Sequence, residues 1–314
     1  MTDAALIALD WGTSNLRASL LDGAGQPLET RSAAGGVMAV KNGAFSAMLL
    51  ASCGGWIAQT SCPLIASGMI GSRQGWREAP YLGCPASISQ LAGQLTTVAI
   101  DGAAVDGRSR LLHIAAGLQC VDASGEVDVM RGEETQIWGA DLPPGSCCVL
   151  PGTHSKWAWL DHQGDIGHFR TFMTGELYGL LTQHSILGRL MVFGDDRRDD
   201  FLAGVRLGLH GYAQLSHAIF LARTAGLMGT IAPAGLPDYL SGILIGAEIG
   251  SASAGRSPSS DHNAITLIGD DDLCLRYELA FEVKGIVTRR AAPGSTTRGQ
   301  WMIATVAGLV GRQT

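Results

Sequence analysis

The chain has little charge: Asp, Glu, Lys and Arg make up 16% of its 314 residues, and aromatics 6%. With 46% hydrophobic residues, that scarcity excludes a disordered or solvated chain. Basic runs are missing. No stretch of Lys or Arg exceeds two, as at Arg197-Arg198 and Arg289-Arg290, and the net charge is −6, so no nucleic-acid partner is expected. There is no Cys-x-x-Cys, and the seven cysteines are odd in number. This excludes a disulfide scaffold and points to reduced thiols in a cytoplasmic protein. The histidines show no metal-ligand spacing, so no zinc site is expected. Met1-Thr2-Asp3 has no basic region and does not read as a secretory leader. Apolar runs of membrane-spanning length are absent too, because Glu248 interrupts the best candidate at 239–254. The length suits two domains of ordinary size.

Glycine, by contrast, is plentiful, at 43 residues, so tight turns and close backbone approaches are expected. Patterning predicts strands near 5–10, 15–21, 63–67, 111–116, 127–130, 146–150, 156–160 and 264–268. It predicts helices near 43–59, 133–140, 175–190, 199–210, 216–226, 237–253, 272–283 and 298–310. The mixture is α/β. Residues 101–110 read as a surface loop, 192–199 as a charged turn and 252–263 as a flexible linker.

The stretch "ALIALDWGTSNLRASLLD", residues 5–22, is strand, carboxylate, Gly-Thr-Ser-Asn turn, strand. "CVLPGTHSKWAWLD", 148–161, repeats the plan. Two similar domains are expected, one such turn in each, with the boundary at "DLPPGS", 141–146. Such a turn gathers backbone N–H groups into one concavity, and glycine lets a phosphate approach. Asp10 cannot bind phosphate, but it can bind Mg²⁺ or its waters, and the metal bridges to phosphate. A hairpin capped by its own Asp explains either turn alone; the matched pair favours nucleotide phosphates. The base and ribose are expected where "AITLIGDDDLCLRYELAF", 264–281, passes from strand through Gly269 into a helix, although Asp270–Asp272 would repel phosphate there. Gly242 and Gly246 serve either close helix packing or adenosine contact.

The blocks "DWGTSNLRASLLD", "GMIGSRQGWREAPY", "VMRGEETQIWGA", "LPGTHSKW", "FRTFMTGELYGLL" and "SGILIGAE" occur in that order. Together they resemble the bacterial 2-dehydro-3-deoxygalactonokinase family from about residue 5 to about residue 285. The resemblance implies an actin-like fold of two ribonuclease-H-like domains facing a central cleft. They would span 1–141, joined by the C-terminal helix 297–314, and 142–296. It also implies ATP-dependent phosphorylation of the 6-hydroxyl of 2-dehydro-3-deoxy-D-galactonate. Carried over by position, Asp10, Gly12, Thr13, Ser14 and Asn15 match the first phosphate motif. Gly152, Thr153, His154 and Ser155 match the second, and Gly242, Gly246 and Gly269 the adenosine side. The chain departs from the family at "APGSTTRGQWMIA", 292–304, where an acid is missing.

Phosphoryl transfer to an alcohol needs alignment, charge neutralisation and a group that takes the hydroxyl proton. In "DVMRGEETQIW" a strand leads into a helix beginning at Glu133-Glu134. Glu133 is the favoured base and Glu134 the alternate, although both also suit the dipole of a first helical turn. Asp10 is the rival base but fits Mg²⁺ better. The substrate carboxylate calls for an arginine fork. Arg17, Arg73, Arg77 and Arg170 lie near the motifs, with surface salt bridging as the competing reading for each. Ser72, Trp76 and Tyr81 belong to the putting-together of a sugar wall, with Trp76 stacking on the carbon face and Tyr81 donating to a hydroxyl; Thr174 stands beside Arg170. Lys156 either pairs with ATP phosphates or faces solvent. The expected partners are ATP and a small sugar acid, with homo-oligomerisation left open. A phosphohydrolase of the same fold and a non-catalytic ATP-binding switch are the competing classes.

Overall fold

The computed structural model describes residues 3–105, 108–254 and 264–311. Two compact units divide the chain. One comprises 1–145, 159–168 and 291–314, and the other 146–158 and 169–290.

The first unit opens with β1 (Ala4–Trp11), β2 (Leu16–Asp22) and β3 (Pro27–Ala33), an antiparallel meander. Helix α1 (Phe45–Gln59) leads to β4 (Leu64–Ser67), which is parallel to β1. Then come β5 (Tyr81–Gly83), α2 (Ile88–Ala92), β6 (Thr96–Val105), β7 (Arg108–Ile114), β8 (Gly117–Val121), β9 (Val127–Met130) and α3 (Glu133–Gly139). The main sheet has the order β3-β2-β1-β4-β7-β6, and β5-β8-β9 form a small separate sheet. In the centre of the main sheet, Leu6, Ile7, Leu9, Leu64 and Ile65 are wholly buried, as expected where both faces of a strand are covered.

The stretch from 146 to 290, which belongs to the second unit except for 159–168 at the facing ends of β11 and β12, holds β10 (Cys147–Leu150), β11 (Ser155–Leu160), β12 (Ile166–Phe172), α4 (Thr174–His184), α5 (Arg198–Gly211), α6 (Leu215–Leu227), α7 (Leu236–Ser253), β13 (Ile265–Leu267), α8 (Asp271–Val283) and β14 (Thr288–Arg290). Its sheet has the order β12-β11-β10-β13-β14. Both main sheets follow one plan: three strands step outward in chain order, and the next strands add on the other side of the first.

The last helix, α9 (Ser295–Val306), returns to the first unit and packs on β1, β4, α2 and α3. Buried Gln300 donates its amide to the Leu9 carbonyl (2.7 Å) and to Ser67 Oγ (2.9 Å). The 292–304 segment that lacks the family's acid is therefore a structural brace for the strand that carries Asp10.

The structure corrects several expectations. Residues 101–110 are not a surface loop: β6 and β7 pair antiparallel there, with 106–107 outside the described residues. The helix expected over 175–190 ends at His184. The charged turn at 192–199 gives way to α5 at Arg198. Of the linker at 252–263, residues 255–263 lie outside the described residues. Patterning also leaves out β3, β5, β6, β8, β12, β14 and α2, which are short, polar or at sheet edges.

Candidate active site

In the first unit Asp10 is the next-to-last residue of β1 and stands opposite Arg17 in the β1–β2 register. Thr13, Ser14, Asn15 and Arg17 are exposed. The turn is braced from behind: the amides of Gly36, Val37 and Met38 donate to the carbonyls of Ser14, Gly12 and Thr13. Trp11 Nε1 adds a bond to the Gly35 carbonyl (2.9 Å). Gly36 is obligatory, because a Cβ there would stand 2.3 Å from Thr13 O. Gly12 differs: its nearest such contact is an ordinary 3.7 Å, so the space before it is open. A cavity of about 590 Å³ lies there, lined by Asp10, Gly12–Arg17 and Ser32.

Two glycines bring β4 and α3 to the same place. Gly68 (φ 95°) follows β4, and Gly132 (φ 104°) precedes α3. A Cβ on Gly132 would lie 3.0 Å from Gly68 Cα, and one on Gly68 would lie 2.9 Å from Trp11 O and 3.7 Å from Asp10 Oδ1. Only glycine tolerates both the left-handed backbone and the approach. Asp10, Glu133 and Glu134 are thereby gathered. Burial raises the Asp10 pKa, Arg17 opposes the rise and Glu133 adds to it. Glu133 is partly exposed, and its Oε2 accepts from the Arg131 amide (2.9 Å). Glu134 is fully buried and accepts from Gly132 N (2.7 Å) and Thr135 Oγ1 (3.0 Å). Burial first, and then the Glu133 charge, push its pKa up to about 7.

Of the sugar-loop residues, Trp76 has one face stacked on Phe45 (centroids 5.9 Å apart) and its edge near Trp11. Arg73 is an exposed surface residue paired with Glu78 (3.0 Å), which is the competing reading realised. Tyr81 lies beneath the Arg131 guanidinium, 4.2 Å from it. Ser72 is buried.

In the second unit Gly152, Thr153 and His154 follow β10. A Cβ on Gly152 would meet nothing within 4 Å, so this turn also opens onto free space. The start of α4 supports it: Glu176 N donates to Thr153 O (3.0 Å), and His154 Nε2 meets Glu176 Oε2. Behind it sits a carboxylate that patterning did not single out for chemistry. Buried Glu248 accepts from Ser155 Oγ, Trp157 Nε1 and Tyr277 OH, each at 2.7 Å, and from Thr174 Oγ1. Burial raises its pKa, while all four donors favour the charged form.

This network corrects two expectations. The hydroxyls of Ser155 and Thr174, expected at ATP and at the sugar acid, are buried and donate to Glu248. Lys156 is buried and does not face solvent; its Nζ donates to His154 O (3.1 Å). Gly242 and Gly246 are corrected as adenosine contacts. Added Cβ atoms would stand 2.1 Å from Phe201 O and 2.4 Å from Val205 O, so these glycines let α7 press against α5. Gly269 (φ 157°) lies beside Pro151, next to the second turn. The aspartates after it have structural work: Asp270 caps α8 by accepting from Asp272 N and Leu273 N, and Asp271 pairs with Arg290. Arg170 is exposed on β12.

A family model described as 2-keto-3-deoxy-galactonokinase matches residues 10–303. The chain is 39% identical over 283 residues to the 2-dehydro-3-deoxygalactonokinase of Escherichia coli (strain K12), covering 90% of this chain and 91% of that protein. It superposes on the crystal structure of a candidate 2-dehydro-3-deoxygalactonokinase from Sinorhizobium meliloti with a TM-score of 0.84 and 33% identity, over 95% of this chain and 98% of that one. The ligand-bound xylulose kinase of Lactobacillus acidophilus is similar in fold at 10% identity, with a TM-score of 0.54 over 98% and 90% of the two chains.

Proposed function

The chain belongs to the 2-keto-3-deoxy-galactonokinase family, and from that premise we propose that it transfers the γ-phosphoryl group of ATP to the 6-hydroxyl of 2-dehydro-3-deoxy-D-galactonate. The observation that carries the reading is the gathering of Asp10 and Glu133 beside an open glycine turn, enforced by the Gly68–Gly132 approach.

Glu133 is the base. It is the acid of its pair that solvent reaches, whereas Glu134 is sealed in the core. It takes the proton of the attacking hydroxyl as that oxygen bonds to the γ-phosphorus, while the bond from this phosphorus to the oxygen bridging it to the β-phosphate breaks and ADP leaves. The Gly12–Asn15 turn and the Gly152–His154 turn serve the ATP phosphates, and the backbone near Gly269 serves the adenosine. Trp76 supports the sugar carbons.

Asp10 fits Mg²⁺: it is a hard oxygen donor in a largely buried pocket, close to a second carboxylate. Among the described residues no group of three or more ligating side chains is assembled for a metal. When bound, the ion neutralises phosphate charge. Asp10 would hold it, and Arg17 moderates the local negative charge.

No helix among the described residues is long and apolar enough to cross a membrane; with its reduced cysteines, we place the enzyme in the cytoplasm. A phosphohydrolase reading is disfavoured by the family match and by the aromatic sugar loop. A coupled ADP-release assay tests the function. ADP should appear rapidly only when the sugar acid is present, and equal rates with and without it would eliminate the kinase reading.

A further inference from the structure

Among the described residues, the side-chain atoms that are buried without a hydrogen-bond partner are Ser72 Oγ and Arg131 Nε and Nη1. They belong to one neighbourhood. Ser72 follows Gly71, and a Cβ on Gly71 would stand 2.9 Å from Arg131 Nη1, 3.0 Å from Ile114 Cγ2 and 3.3 Å from Ala79 Cβ. Arg131 is 8% exposed and Ser72 7%. The guanidinium is held as a flat plate: it lies over the Tyr81 ring, and its Nη2 donates to the Ala79 carbonyl (2.8 Å). Its charge has no carboxylate partner among the described residues.

A buried cation of this kind is costly unless an anion completes it. The ring beneath and a single carbonyl do not neutralise it. Nη2 spends one of its two hydrogens on Ala79. The other shares one edge of the guanidinium with a free N–H, so that edge can still grip two oxygens of a planar anion. The two oxygens of a carboxylate match the two parallel N–H groups of such an edge. Chain continuity sets the guanidinium next to the transfer chemistry, since Arg131 immediately precedes the Gly132–Glu133 segment. The arginines expected from sequence are less suited: Arg17, Arg73, Arg77 and Arg170 are exposed, and Arg73 is already paired.

We propose that Arg131, with Ser72 Oγ beside it and Tyr81 holding its plane, receives the substrate's carboxylate and sets the preference for a sugar acid over a neutral sugar. This rests on the kinase reading above. The carboxylate and the 6-hydroxyl stand at opposite ends of the sugar-acid chain, so a clamp at one end fixes where the other meets Glu133.

The test compares 2-dehydro-3-deoxygalactonate with its uncharged methyl ester, using the full-length enzyme and the variants Arg131→Met, Arg131→Lys and Ser72→Ala. The wild type should favour the acid by about 100-fold in kcat/KM. Arg131→Met should erase that preference by lowering acid turnover about 100-fold while the ester rate and the KM for ATP stay within about threefold. Arg131→Lys, which keeps the charge but loses the fork, should retain part of the preference. Ser72→Ala should weaken use of the acid about fivefold and leave the ester unaffected. Equal proportional losses on acid and ester would mean a purely structural arginine and would overturn the proposal, as would a wild type indifferent to the charge. If Arg131→Met does not fold, the lysine and Ser72 variants decide by the same criterion. A wild type inactive on the acid, with ATP binding intact, would instead overturn the kinase reading beneath it.

Discussion

Glu133 and Glu134 are adjacent in sequence and opposite in circumstance. Glu133→Gln keeps the shape but removes the proton acceptor, so kcat should fall by about 100-fold or more with the KM for ATP little changed, as measured by coupled ADP release. Unchanged turnover would pass the role to Asp10. Glu134 is a stability group. Its folded pKa of about 7 lies above its ordinary value of 4.5. Its contribution to folding is therefore full below about 4.5 and is lost as pH rises through about 7. Glu134→Gln has no proton to lose, so its melting temperature should gain on the wild type between about pH 5 and pH 8; a constant gap would contradict the raised pKa. The choice between the two acids was not legible in the chain, because both occupy a first helical turn. Burial separates them, and burial belongs to what packs on α3. Gly36 was equally hidden: its role depends on the turn it backs, which lies more than twenty residues earlier.

At the scale of elements, α3 is short and is held in place by α9 at a glycine crossing. Added Cβ atoms would stand 1.8 Å from Ser295 O at Gly139 and 1.9 Å from Thr135 O at Gly299. Gly299→Ala must push α3 away. It should cost about 1–3 kcal/mol in denaturant unfolding and reduce kcat, since α3 carries Glu133. A second prediction concerns α7, whose Glu248 joins β11, α4 and α8. An amide in Glu248→Gln would turn its N–H₂ toward hydroxyl and indole donors. The variant should melt earlier and raise the KM for ATP more than that for the sugar acid, because Ser155 directly follows the second turn. Equal changes in both KM values would argue against any special tie to the nucleotide. Periodicity had marked α7 correctly as a helix, but it left Gly242 and Gly246 open between packing and ligand contact. The backbone of α5 decides for packing.

At the scale of the molecule, the chain's last helix completes the unit that its first strand begins. A chain ending at Arg290 would leave β1 and β4 without α9 and without the Gln300 bonds to Leu9 and Ser67. It should show neither a cooperative melt nor ADP release, and a truncated chain that retained both would show α9 to be dispensable. By itself the sequence determined the α/β character, both glycine turns, the acid pair and the family. These are local signals: a strand's apolar run, a turn's small residues and ordered blocks survive in one dimension. Only the tertiary structure decided which acid is open, which hydroxyls are spent on Glu248 and which arginine lies buried without an anion. Those properties depend on neighbours distant in the chain, and no local pattern records the company a side chain keeps once it is buried.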